Sequence, residues 1–381
     1  MSLKIRNLAV FTLFVGITTS LAAAPRIIKK VLQPPDAVRA ADYWTPERRA
    51  AAIPMDARGV SLGAREIEEL VASAEQPVVR GSAGPAGTTG IAPAVSQDHW
   101  TPENAASLAQ ADDLRAGVEP LADDFNRFPP PLAQYKGPDR KFPYIAIGRL
   151  FMRFPSGDFS CSAAVINPGW LVATTRTCIF DKTRGGFADI VNFFPGYQNG
   201  LNPDLAGGWT ARVLLTFDTG GRRFDIGIMQ MFNYLHNGCK AKAGSRQILS
   251  FTGFVGTFQG GTYKNGTALQ AFGYPAVNIP GPPDEGFQGK YMHQCSTHQK
   301  AMNRGGNAGT IEFGCDLTAG TTGGPVIHSF KPDHAGDRNF LRSLVSFRLA
   351  GAPNASNIEG PQFQADNFGA LLNAAINEPC P

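Results

Sequence analysis

The texture that begins at Phe142 most constrains what this chain can fold into. From there on, apolar residues come in short runs, each soon broken by Gly, Pro, Asn or Asp. The runs cover residues 144–151, 163–166, 170–172, 211–217, 226–231, 248–251, 325–327 and 341–347. Such runs are too short for the apolar stripe of a long helix, whereas a strand needs only about four to eight residues. The spacing predicts a β sandwich or barrel. The end of the chain departs from it: Phe368, Leu371, Leu372, Ala375 and Ile376 recur at helical spacing, which predicts a closing helix packed on the body. Charged residues at 17%, with 43 Gly and 29 Pro, suit a loop-rich β protein better than a helical bundle.

The first 24 residues read as an export signal. Lys4 and Arg6 precede an apolar run over residues 8–21, and Ala22, Ala23 and Ala24 follow it. The run is shorter than the roughly 20 residues of a membrane span and ends in small residues suited to cleavage. This predicts a secreted, extracellular protein without stable membrane insertion. Export changes the meaning of the six cysteines, Cys161, Cys178, Cys239, Cys295, Cys315 and Cys380. An even number in an exported chain predicts disulfides, and no Cys/His group has zinc-ligand spacing. The net charge of +4 is spread along the chain without a dense basic block, so nucleic-acid binding has no support.

Residues 25–133 are of another kind. They lack cysteine and are rich in Ala, Pro and acidic residues, with a Gly/Ala/Pro/Thr linker at 81–95. A short amphipathic helix is predicted over 64–74. The tetrapeptide Trp44-Thr-Pro-Glu47 recurs as Trp100-Thr-Pro-Glu103, which suggests a docking element used twice. These residues are assigned to a pro-like, partly disordered segment.

Three segments, in order, resemble trypsin-like serine proteases, the glutamyl-endopeptidase branch most closely. The first runs from Phe159 through Cys161 and Trp170 to Arg176, Thr177 and Cys178. The second is Arg223-Phe-Asp225-Ile-Gly-Ile. The third is Cys315-Asp-Leu-Thr-Ala-Gly320-Thr321-Thr322-Gly323-Gly324-Pro325. The resemblance covers residues 134–381. It implies an all-β fold, two antiparallel six-stranded β-barrels of chymotrypsin type with a C-terminal α-helix. It also implies a Cys161–Cys178 bridge. Cys295–Cys315 is the next pairing expected, as both flank the loop to Gly320, and Cys239–Cys380 remains.

The departures decide the functional reading. The position of the catalytic His, just before the second cysteine, holds Thr177; one extra residue in this stretch makes Arg176 the other candidate. Neither exchanges a proton near neutral pH, as a general base must. The nucleophile position holds Thr322, an internal residue with no amine of its own to serve as base. Asp225 survives. In an active relative the backbone N–H groups at Gly320 and Thr322 form an oxyanion hole; the same glycines also serve a tight turn. Arg348 stands about where the glutamyl branch places a His against an acidic side chain, so a vestigial specificity pocket is one reading and an exposed strand Arg the other. Asn265 and Asn354 begin glycosylation sequons.

The expectation is a secreted serine protease homologue with a degenerate triad. It binds a peptide or protein ligand in the former active-site cleft and uses no metal or cofactor. Two alternatives stay open. One is an active endopeptidase with an atypical catalytic arrangement; the other is a secreted structural protein in which the cleft plays no part.

Overall fold

The computed structural model describes residues 25–33, 40, 42–56, 58–60, 79–81, 133–134, 141–198, 208–232, 248–260, 266–276, 288–302, 309–315, 317–334, 336–349 and 357–379. The expected signal at 1–24, the helix at 64–74, Trp100, His99, His236, Cys239, Cys380, Asn265 and Asn354 lie outside them.

Two β lobes make the body. In the first, six antiparallel strands close on themselves: β3 (Ile147–Phe154), β4 (Gly157–Ile166), β5 (Leu171–Thr174), β6 (Ile190–Pro195), β7 (Trp209–Phe217) and β8 (Gly227–Met231). The order around the barrel is β3-β4-β5-β8-β7-β6, and β6 returns to β3. Successive side chains point to opposite faces of a strand, and here both faces are covered. Leu150, Met152 and Phe154 of β3 join one core with Cys161, Val165 and Trp209. Ile147 and Phe151 join a second core with Ala164, Ile166 and Leu215. Burial on both faces explains why these strands read as continuous apolar runs rather than as alternating ones.

The second lobe holds β9 (Gly256–Gln259), β10 (Ala268–Gly273), β11 (His293–Met302), β12 (Thr310–Gly314), β13 (Pro325–His328), β14 (Phe340–Leu344), β15 (Phe347–Leu349) and β16 (Asn357–Pro361). They pair in the order β15-β16-β12-β11-β10-β13-β14-β9, and this lobe is a half-barrel rather than a closed ring. Its interior is a third core of Leu269, Ala271, Ile311, Phe313, Val326, Val345 and Ile358. Phe272, Tyr274, Ile327, Leu341 and Leu344 instead meet the first lobe in the second core, which fastens the lobes together. The two-lobed all-β body is thus the chymotrypsin-like plan that the sequence implied.

The closing helix α3 (Ala370–Ile376) packs against β7 and β8. Phe368, Leu371, Leu372 and Ala375 are buried, while Ile376 is 40% exposed and marks the edge of the packed face. The apolar run at 248–251, expected as a strand, is a helical turn, Leu249–Thr252, closed by Gly253 at φ 64°. A run this short, three apolar residues around Ser250, fits either structure, and the positive-φ glycine ends the turn.

The described parts of residues 25–56 pack on this body. Strand β1 (Ile27–Val31) lies antiparallel to β7, from Ile27 opposite Phe217 to Val31 opposite Val213. Trp44 is 1% exposed, its ring 5.5 Å from that of Phe151. The Thr-Pro-Glu after it starts helix α1 (Pro46–Ala51). Thr45 is its N-cap and accepts from the Arg48 N–H at 3.3 Å, and Pro46 begins the helix where no N–H is needed. The first Trp-Thr-Pro-Glu copy is therefore a buried anchor followed by a helix start.

Candidate active-site cleft

The first lobe supplies two of the positions singled out above. Helix α2 (Arg176–Ile179) follows β5, and the Cys161–Cys178 disulfide ties it to β4 with the Cα atoms 6.3 Å apart. The Arg176 side chain turns to the end of β7, its Nε donating to the Phe217 carbonyl at 2.9 Å and its guanidinium lying over the Phe180 ring. Thr177 turns to Asp225. Its backbone N–H donates to Asp225 Oδ1 at 3.0 Å and its hydroxyl donates to the same oxygen at 2.6 Å. Asp225 sits between a 3-10 turn, Arg222–Phe224, and β8, and is 3% exposed.

The other carboxylate oxygen, Oδ2, accepts a short hydrogen bond from the hydroxyl of Ser346, between β14 and β15 of the second lobe. Ser346 was missed from the sequence as a carboxylate partner. Its signal was slight: one hydroxyl in the segment that carries Arg348. A buried charge needs such donors, because an ionised carboxylate left without them is costly.

The second lobe supplies the turn from Gly320 to Gly324. Gly320 has φ 95° and Gly323 φ 84°. A Cβ on Gly323 would come 2.1 Å from Thr174 Oγ1 and 2.4 Å from the Ser162 carbonyl oxygen, so the turn both needs a left-handed backbone and leaves no room for a side chain. The Gly320 carbonyl accepts from the Ser162 hydroxyl at 2.9 Å, and the Ser162 N–H donates to the Thr322 carbonyl at 2.8 Å. Thr321 bonds within the turn, donating to the Thr318 carbonyl at 2.6 Å.

Thr322 and Gly320 converge on one atom. The Gly320 N–H donates to the Met55 carbonyl oxygen at 2.8 Å, and the Thr322 hydroxyl donates to the same oxygen at 3.1 Å. Met55 follows strand β2 (Ile53–Pro54), which pairs in parallel with Phe159 and Ser160 of β4. No sequence signal pointed to Met55, which lies 267 positions from Thr322.

Arg149, opposite Ser162 in the β3–β4 pair, is buried; it donates to the Gly289 carbonyl at 2.8 Å and the Ser160 hydroxyl at 3.0 Å. Desolvation pushes its guanidinium down, and the buried Tyr274 phenol is pushed up for the same reason.

Four described histidines lie elsewhere. His293 Nδ1 is 3.1 Å from the Tyr291 carbonyl, and His298 is paired opposite Ala268. His328 lies beside the Phe258 ring, and His334 bonds Asp337 on the surface. Among the described residues, no three His, Cys, Asp or Glu side chains gather as a metal site. The second disulfide joins Cys295 to Cys315, as expected. Arg348 lies in β15 opposite Ile358 and Gly59 in register, and its side chain lies outside the described residues.

No family model matches this chain, and no curated protein does. Among solved structures, the protease Anisep from Arthrobacter nicotinovorans is similar at 22% identity and TM-score 0.48, over 61% of this chain and 96% of its own. The thermostable serine protease AL20 from an extremophilic microorganism is similar at 24% and 0.47, over 62% and 99%. A Glu endopeptidase in complex with MPD is similar at 16% and 0.46, over 64% and 95%.

Proposed function

We propose that this chain is a secreted, non-catalytic homologue of the trypsin-like serine proteases that holds a peptide or protein ligand in its former active-site cleft. The observation that carries the reading is the state of Asp225. Its carboxylate is taken up by the Thr177 N–H and hydroxyl on one oxygen and by Ser346 on the other. Where a general base would stand, Thr177 presents a hydroxyl already committed as a donor. A base must accept the nucleophile's proton and return it to the leaving group. Thr177 does neither at neutral pH, and the Thr322 hydroxyl meets a carbonyl rather than a base.

Ligand binding draws support from the glycine turn, where the Gly320 N–H donates to a main-chain carbonyl, that of Met55 in the same chain. Export draws support from the two disulfides and the signal-like start. No helix among the described residues is long and apolar enough to cross a membrane.

The test is to present the full chain with casein peptides on a surface and to follow both retention and new peptide termini. Retention without cleavage is expected. Cleavage that disappears in Thr322→Ala overturns the non-catalytic reading, and absence of retention by both the wild type and Met55→Asp overturns the binding reading.

A further inference from the structure

The segment that meets Gly320 belongs to the chain itself, and three features make it resemble a bound ligand. First, it adds to a sheet edge. Ile53 and Pro54 pair in parallel with Phe159 and Ser160, and the Met55 N–H donates to the Ser160 carbonyl at 2.9 Å. Extended peptides bind protein sheets in this way, with main-chain bonds giving affinity and alternate side chains giving selectivity. Second, its carbonyl takes both the Gly320 N–H and the Thr322 hydroxyl. A buried N–H needs an acceptor, so this turn is complete only with a carbonyl in place. Third, the side chains divide as those of a docked peptide do: Met55 is 3% exposed and belongs to the first-lobe core, while Ile53 is 55% exposed.

The segment is short, and its anchor lies upstream. Trp44 is buried, the Arg49 guanidinium donates to the Trp44 carbonyl at 3.0 Å and lies over the Phe194 ring, and β1 is paired along its whole length. Ile53–Met55 is thereby held beside the cleft whether or not it is seated there. Tethering of this kind gives an effective concentration of about millimolar, against which any external ligand has to compete.

We propose that Ile53–Met55 is a built-in ligand of the cleft, and that an external peptide reaches the Gly320 N–H only by displacing it. This rests on the reading of the cleft as a peptide site and specifies the ligand's chemistry. It is an extended segment that runs parallel to β4, with an uncharged, unbranched apolar side chain at the place of Met55. An acidic residue there is excluded, because a carboxylate would be buried in an apolar core without a partner.

The experiment uses the full chain and a fluorescent peptide with the sequence of residues 50–57, titrated into the wild type and into Met55→Asp. The variant is expected to bind the peptide at least 10-fold more tightly, because its own segment no longer competes. The same peptide with Asp in place of Met is expected to bind neither protein. Measurable but equal affinity for the two proteins overturns the built-in ligand and leaves the cleft as a peptide site. Binding to neither overturns the cleft reading and this proposal with it. If circular dichroism shows that Met55→Asp does not fold, the comparison is read on Met55→Gly. In the wild type, saturating peptide is expected to speed hydrogen exchange at Met55. Unchanged exchange with peptide bound overturns the proposal.

Discussion

The Thr177 hydroxyl donates to Asp225 Oδ1 at 2.6 Å, from the position where a proton-transferring imidazole is expected. The carboxylate thus holds a Thr, and Ser346 bonds its second oxygen from the other lobe. Asp225 is therefore a structural link between the two lobes.

Removing one donor from that carboxylate tests the link. Thr177→Val keeps the shape and the backbone N–H but loses the hydroxyl. It is expected to lower stability by about 1–3 kcal/mol, the range for leaving a buried polar group short of a partner. Urea unfolding of Thr177→Val and Ser346→Ala checks it, and midpoints equal to wild type contradict the structural role.

Restoring the chemistry is the converse test. Thr177→His combined with Thr322→Ser is expected to gain labelling by a fluorophosphonate, while each single replacement stays unlabelled, because triad groups act as a unit. Adding Met55→Asp to the pair is expected to speed labelling further by clearing the Gly320 N–H. A double variant that folds but never labels argues that the cleft has lost more than its proton-transfer groups.

Trp44 is the anchor of the N-terminal segment. Trp44→Ala empties a fully buried site between β3 and α1 and is expected to cost about 3–5 kcal/mol. Limited proteolysis is then expected to cut within residues 42–56 faster than in wild type. An unchanged cutting rate contradicts the anchoring role.

The pH response of stability has a predictable sign at one site. Burial pushes the pKa of His293 down. The unfolded chain therefore binds a proton that the folded chain refuses, and stability rises with pH. The contribution is present above the ordinary imidazole value of about 6.5 and is lost as pH falls below it. His293→Gln is expected to flatten the fall in melting temperature between pH 7.5 and 5.5. An equal slope in both proteins contradicts it.

Much of the body could be read from the chain, because it is written in local patterns. Short apolar runs mark the strands, the spacing of Phe368, Leu371, Leu372 and Ala375 marks the helix, and Cys161 and Cys178 flank the segment that presents Thr177. What escaped depends on distant partners. Ser346 acquires its role from a carboxylate 121 positions away. Met55 acquires its own from Gly320 and Thr322, and nothing in Ile-Pro-Met says that its carbonyl meets a glycine turn. The run at 248–251 is a helical turn and not a strand because three apolar residues around Ser250 carry no period; Gly253 decides the outcome. Arg176 and Thr177 were both candidates for the base position, and only the direction of each side chain separates them.

The central claim is that the cleft keeps its carbonyl-binding turn but has no proton-transfer machinery behind Thr322. Its most direct test is to incubate the wild-type chain with a fluorophosphonate probe and read the adducts by mass spectrometry. The account predicts no adduct on Thr322 at neutral pH. An adduct on Thr322, formed by the folded chain and lost on unfolding, contradicts it.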